Sequence, residues 1–154
     1  MNKMYKSDLV NPTDIYEIVI VEDDEGLNHL ISKKLKTEGY KCVQAFNGEQ
    51  AVVSIKEANN PILILDYNLP DMTGKQVIQS IKEKYDYTPP FIVMTGYGDE
   101  KIAVEMMKLG AKDYITKEND FIEILTKKAE RIVEELEKEE ENKKFKKLLQ
   151  EVEQ

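Results

Sequence analysis

Asp66 closes an unbroken apolar run at residues 62–65 and is followed by Asn68, Pro70, Asp71 and Gly74, which are turn formers. A second apolar run, residues 18–21, also ends in acid, with Asp23 and Asp24 next to Glu22 and Glu25. Thr95 ends the run at 91–94, and Lys117 follows the short run at 113–116. Brought to one place, these residues would set three carboxylates beside a hydroxyl and an ammonium group. Crowded carboxylates repel one another unless a cation joins them. Oxygen donors without cysteine or histidine suit a hard ion, and Mg²⁺ fits better than zinc. A carboxylate ringed by that ion, an ammonium group and a hydroxyl donor is a receptor for a phosphoryl group. Taken alone, Asp66 is equally a residue that opens a turn or caps the next helix.

The surrounding elements can bring these groups together. Runs that are apolar at consecutive positions belong to strands buried on both faces, as in a parallel sheet covered by helices. Strands are expected at residues 15–21, 40–46, the run ending at Asp66, 91–94 and 113–116. Between them lie segments of helical periodicity. One carries Leu27, Leu30, Ile31 and Leu35 and stops at Gly39; the next carries Ala51, Val52 and Ile55 and stops at 59–61. Helices are also expected at about 75–84 and 99–109, with Pro89 and Pro90 excluding helix between them and Gly110 closing the second. A last helix begins near Asp120.

Strict alternation of five strands with helices implies an α/β, flavodoxin-like, doubly wound parallel sheet of order 2-1-3-4-5, with helices on both faces and an extended C-terminal helix. Ligands of such sheets sit beyond the strand carboxyl ends, where Asp23, Asp24, Asp66, Thr95 and Lys117 all fall. No Gly-x-Gly-x-x-Gly follows the first strand, so a dinucleotide is not indicated.

Composition narrows the class. A length of 154 residues suits one domain, and a net charge of −8 argues against nucleic acid and anionic membrane surfaces as partners. The single cysteine, Cys42, falls in a strand and reads as an inert core thiol. His29, the one histidine, sits on a helix and is given no role. No signal core or run of membrane-spanning length is present, so a soluble cytoplasmic protein is expected. Residues 1–14 read as a flexible leader, 15–135 as the domain and 136–154 as a charged helical extension.

Several segments together resemble the receiver domain of bacterial two-component response regulators. Val-Ile-Val-Glu-Asp-Asp (19–24) resembles its acidic pair, and Leu-Ile-Leu-Asp-Tyr-Asn-Leu-Pro-Asp-Met-Thr-Gly (63–74) resembles its phosphoacceptor segment. Val-Met-Thr-Gly (93–96) is similar to its hydroxyl-bearing step, and Gly-Ala-Lys-Asp-Tyr-Ile-Thr-Lys (110–117) to its lysine segment. Ala-Phe-Asn-Gly-Glu-Gln-Ala (45–51) also has the family's look, and the resemblance covers roughly 15–133. It implies that Asp66 is the phosphoacceptor and that Asp23, Asp24, Asp66 and the backbone carbonyl of Asn68 hold Mg²⁺. It also implies that Lys117 and Thr95 contact the phosphoryl oxygens, and that Thr95 with the aromatic Tyr114 forms the switch. The implied donor is a histidine kinase or a His-phosphotransfer protein in a phosphorelay. The implied activity is self-catalysed phosphotransfer and autodephosphorylation, in a signalling phosphoprotein rather than an enzyme.

Two positions depart from the family pattern. Glu118 follows Lys117 where proline commonly forms a cis peptide; a non-proline cis bond costs about 2.5–4 kcal/mol, which favours trans here. Gly96 stands where alanine is often seen, adding backbone freedom next to Thr95.

Two other readings compete with this one. A haloacid-dehalogenase-like phosphatase also uses a strand-end aspartate, but its second aspartate is replaced here by Asn68, whose amide cannot exchange a proton. A degenerate receiver serving as a dimerisation scaffold is disfavoured because each site residue is retained. Beyond Leu136 the chain is rich in Glu and Lys, with apolar residues returning at Phe145, Leu148, Leu149 and Val152. The gap between breaks a regular heptad. This tail reads as a solvated extension, a homodimer contact, or a link to a downstream output domain.

Overall fold

A computed structural model describes residues 15–153; the leader expected at 1–14 lies outside them. Among the described residues five strands alternate with five helices. In chain order they are β1 (Glu17–Val21), α1 (Glu25–Thr37), β2 (Lys41–Ala45), α2 (Gly48–Glu57), β3 (Pro61–Asp66), α3 (Gly74–Tyr85), β4 (Phe91–Thr95), α4 (Glu100–Lys108), β5 (Asp113–Thr116) and α5 (Phe121–Glu153). All strand pairs are parallel, in the order β2-β1-β3-β4-β5. The expected sheet order and crossovers are therefore observed. β1 is shorter than expected, since residues 15 and 16 precede it.

β3 is buried at all six positions because it has strands on both edges and helices on both faces. Its side chains alternate across the sheet, and so do those of β1. Val19, Val21, Leu63, Leu65, Phe91 and Val93 pack with residues of α2 and α3. Ile18, Ile20, Ile62, Ile64, Ile92 and Met94 pack instead with Ile31 and Leu35 of α1 and with Leu125, Ala129, Ile132 and Val133 of α5. This double-sided core leaves only the strand ends free for polar groups.

Local chemistry sets where the helices begin. Asp24, Asn47 and Thr73 each accept a hydrogen bond from a backbone N–H in the first turn of the helix that follows. Thr73 and Gln76 complete a capping box on α3. α5 runs 33 residues without interruption, roughly 50 Å. Its deeply buried residues end at Val133, and Leu136 is the last that packs against the core. None of the helices among the described residues is long and apolar enough to cross a membrane.

Candidate functional site at the carboxyl edge of the sheet

Parallel pairing aligns the carboxyl ends of β1, β3, β4 and β5. Asp66, the last residue of β3, is paired in register with Met94, one residue before Thr95. Thr95 pairs with Thr116, and the Lys117 N–H donates to the Thr95 carbonyl at 2.9 Å. Lys117 is thereby fixed beside β4, and its side chain crosses back to β3. Its Nζ lies 3.2 Å from Asp66 Oδ2 and also donates to Glu22 Oε1. The peptide after Lys117 is trans, as are all others among the described residues.

The acid that Lys117 meets from β1 is Glu22, which is buried and immediately follows the strand. Glu22, Asp23 and Asp66 each offer a carboxylate oxygen within 4.8 Å of the other two. Asp24 is not among them. Its Oδ1 accepts from the Leu27 N–H at 3.0 Å and caps α1. The sequence pairs Asp23 with Asp24, whereas the carboxylates gathered beside Asp66 are those of Glu22 and Asp23. The physical reason is that the first turn of α1 engages the Asp24 side chain, while Glu22 stays next to the sheet. Asp24 also donates its own N–H to Glu22 Oε2 at 3.1 Å, which helps hold Glu22 in place.

Asn28, fully buried on α1, is a second residue that the sequence reading passed over. Its side-chain amide donates to the backbone carbonyls of Ile20 (3.2 Å), Glu22 (3.0 Å) and Ala45 (3.0 Å). Gln44 Nε2 completes its satisfaction by donating to Asn28 Oδ1 at 3.0 Å. The strand end that carries Glu22 and Asp23 is thus anchored from the helix below it.

The ionisable groups at the centre share one tendency. Burial raises the Asp66 carboxyl above its usual range, and the nearby Lys117 only partly opposes it. Glu22 is raised for the same reason, again against the hydrogen bond from Lys117. Burial works downward on Lys117, but the hydrogen bond it donates to Glu22 and the charge of Asp66 leave it raised. Burial thus disfavours the negative charge of both carboxyls, while Lys117 holds its proton. One ammonium group does not balance three acids, and a divalent cation on their oxygens would. The oxygen-only donor set fits a small hard ion such as Mg²⁺.

The remaining expected residues lie around this centre. Thr95 is buried, and its hydroxyl donates to the Ile115 carbonyl at 3.5 Å. Asn68 lies just beyond β3, where its backbone N–H acts against the rise of the Asp66 carboxyl. It forms an isolated bridge with Thr73, and the Gly74 N–H donates to the Tyr67 carbonyl at 2.7 Å, which closes the β3–α3 loop. A Cβ at Gly74 would stand 3.1 Å from Tyr67 Cα, so this closure suits glycine. Tyr114, on edge strand β5, is 44% exposed and points outward.

Comparison with known proteins agrees with this arrangement. The sequence model of the response regulator receiver domain matches residues 18–129. Two NtrX-like response regulators, from Rickettsia felis and Rickettsia typhi, are 36% and 37% identical over 117 residues, 73% of this chain. The match spans 24% of the length of each relative. Among solved structures, FixJ-N is 30% identical with a TM-score of 0.68, covering 77% of this chain and 94% of that one. The receiver domain of NtrX from Brucella abortus is 27% identical with a TM-score of 0.64, covering 76% and 98%. A CheY-like receiver domain protein from Methanospirillum hungatei is 27% identical with a TM-score of 0.71, covering 81% and 98%.

Proposed function

Because this chain belongs to the response regulator receiver domain family, we propose that it is a phosphorylation-controlled signalling module whose acceptor is Asp66. An Asp66 carboxylate oxygen attacks the phosphorus of a phosphohistidine on a histidine kinase or His-phosphotransfer protein. The new O–P bond forms as the donor's P–N bond breaks, and that electron pair returns to the imidazole. The product is an acyl phosphate; attack of water on it regenerates Asp66 and inorganic phosphate, and the chain has no other enzymatic role.

The supporting observation is that one ammonium group, Lys117 Nζ, is in reach of both Asp66 and Glu22. In this role Lys117 exchanges its contact with Asp66 for one with an arriving phosphoryl oxygen, and the Thr95 hydroxyl donates to another. Turning of Thr95 away from the Ile115 carbonyl frees space on β5, and Tyr114 moves inward as the readout. Glu22, Asp23, Asp66 and the Asn68 carbonyl would hold Mg²⁺. When bound, the ion offsets negative charge on the transferring group and fixes its orientation. Asp24, assigned to the ion from sequence, serves α1 instead.

The receiver unit occupies residues 15–135 in this reading, acting in the cytoplasm. The helix from 136 onward connects to an output domain or to a second copy. A haloacid-dehalogenase-like phosphatase fits less well because Asn68 supplies no acid–base group, and a degenerate scaffold has no need of the Lys117–Asp66 contact.

Intact-mass spectrometry tests the proposal. After incubation with Mg²⁺ and a small acyl-phosphate donor, the parent should gain one acid-stable, base-labile phosphoryl group and Asp66→Asn none. An unmodified parent, under conditions that preserve acyl phosphates, would overturn it.

A further inference from the structure

The loop that carries Asn68 is tied down at two places, only one of which belongs to its own strand and helix. Its base is closed by Gly74 and by the Thr73–Gln76 capping box. Its tip is held by α2. Asp71 Oδ1 accepts from the Gly48 N–H at 2.8 Å, and Oδ2 accepts from the Glu49 N–H at 2.9 Å. Both oxygens of one carboxylate thus engage first-turn N–H groups that the helix itself leaves unpaired. The neighbouring Met72 lies over Gly48 so closely that a Cβ there would stand 2.3 Å from Met72 Cγ. Loop tip and helix start are therefore fitted to each other, across 22–23 residues of sequence.

We propose that Asp71 is a positioning residue for the divalent-cation site: its two-oxygen hold on α2 fixes the β3–α3 loop and so places the Asn68 carbonyl. This rests on the reading that Asn68, with Glu22, Asp23 and Asp66, holds the ion. A small hard cation demands near-ideal octahedral geometry, so a ligand carried on a slack loop binds it less well. The hydrogen bonds that the Asp71 carboxylate accepts come from α2 and from its own loop rather than from Lys117. Its loss should therefore weaken cation binding and leave transfer intact once the cation saturates. Asp71 is also exposed, so its replacement leaves the core unaltered.

The test is calorimetric titration of the full chain with Mg²⁺, for the parent, Asp71→Asn and Asp71→Ala, alongside thermal unfolding and phosphorylation rates at varied Mg²⁺. Removing a group that supports a metal ligand commonly weakens affinity by about 10–100-fold, so Asp71→Ala should raise the Mg²⁺ Kd about tenfold. Asp71→Asn, which keeps one acceptor oxygen, should fall between it and the parent. Phosphorylation at saturating Mg²⁺ should stay within about twofold of the parent. A lowered Tm with the parent's Kd would make Asp71 a helix cap and nothing more, which overturns the inference. A loss of rate that excess Mg²⁺ does not restore also overturns it. A parent that binds no Mg²⁺ would instead sink the underlying reading of the site, a result distinguishable from either.

Discussion

Lys117 Nζ lies 3.2 Å from Asp66 Oδ2, yet the Asp66 carboxyl is still raised above its usual range, because burial outweighs the attraction. A group whose folded-state pKa is raised has a charged form that the fold disfavours. Asp66→Asn removes that charge and keeps the shape, while Lys117 retains Glu22 as its partner. The variant should be at least as stable as the parent in urea unfolding near pH 7. A clear loss of stability would show that the ammonium contact is the larger effect.

The displaced acidic pair separates two neighbouring residues by experiment. Asp24→Ala should cost about 1 kcal/mol of stability, the usual value of a helix N-cap, and leave Mg²⁺ affinity within about twofold. Glu22→Gln should weaken Mg²⁺ binding by about tenfold or more. If Asp24→Ala instead weakens the ion as much as Glu22→Gln does, the assignment from geometry is wrong. Calorimetric titration of each variant reads this directly.

The contrast shows which signals the sequence carried. Residues 62–65 could be read as the central strand because an unbroken apolar run has nowhere to go but a strand buried on both faces. Asp66 and Thr95 followed, since each ends a strand of a parallel sheet, and Lys117 comes directly after one. Glu22 was missed because four acids stand in a row and strand periodicity alone does not say which one faces the sheet. A capping signal was present: Asp24 directly precedes the amphipathic helix, which marks it as the N-cap and leaves Glu22 and Asp23 for the site. Asn28 and Asp71 gave no such signal. Their partners are backbone groups up to 23 residues away, and backbone groups look alike in any sequence.

Asn28 shows how much such a residue can hold. Its amide serves the carbonyls of Ile20, Glu22 and Ala45 inside the core. Asn28→Ala leaves buried acceptors less satisfied and Gln44 without its acceptor on Asn28, for a cost of about 2–3 kcal/mol. The urea midpoint should fall with an unchanged m-value. A variant within about 0.5 kcal/mol of the parent would mean that water replaces the amide without penalty.

Cys42 offers a check on the edge of the sheet. Burial raises its thiol to about 11, against which Lys36 acts only weakly. The reactive thiolate is then scarce at pH 8 in the folded chain and much more abundant in the unfolded one. Because the folded-state value is the higher, stability is unaffected below the unfolded thiol's pKa and declines as pH rises through the window up to about 11. Iodoacetamide at pH 8 should modify the urea-unfolded protein well before the native one. Equal rates would show that β2 opens freely.

The end of α5 differs in kind from its beginning. Ala129, Ile132 and Val133 dock on the sheet, whereas Phe145, Leu148, Leu149 and Val152 are exposed. At about 100° per residue, Phe145 sits about 160° around the helix from Ala129, so the two apolar stripes face nearly opposite ways. A single helix axis therefore does not allow the second stripe to meet the surface that the first one covers. Within one copy these residues bury little and contribute little to folding. Deleting 145–154 should accordingly leave the unfolding free energy within about 0.5 kcal/mol at low protein concentration. Sedimentation before and after phosphorylation then separates the roles open to the tail. An oligomer of the full chain that the shortened chain does not form assigns the stripe to a second copy, and a monomer throughout leaves it to an output domain. A large loss of stability on deletion, with both chains monomeric, would show that the stripe packs back on its own domain.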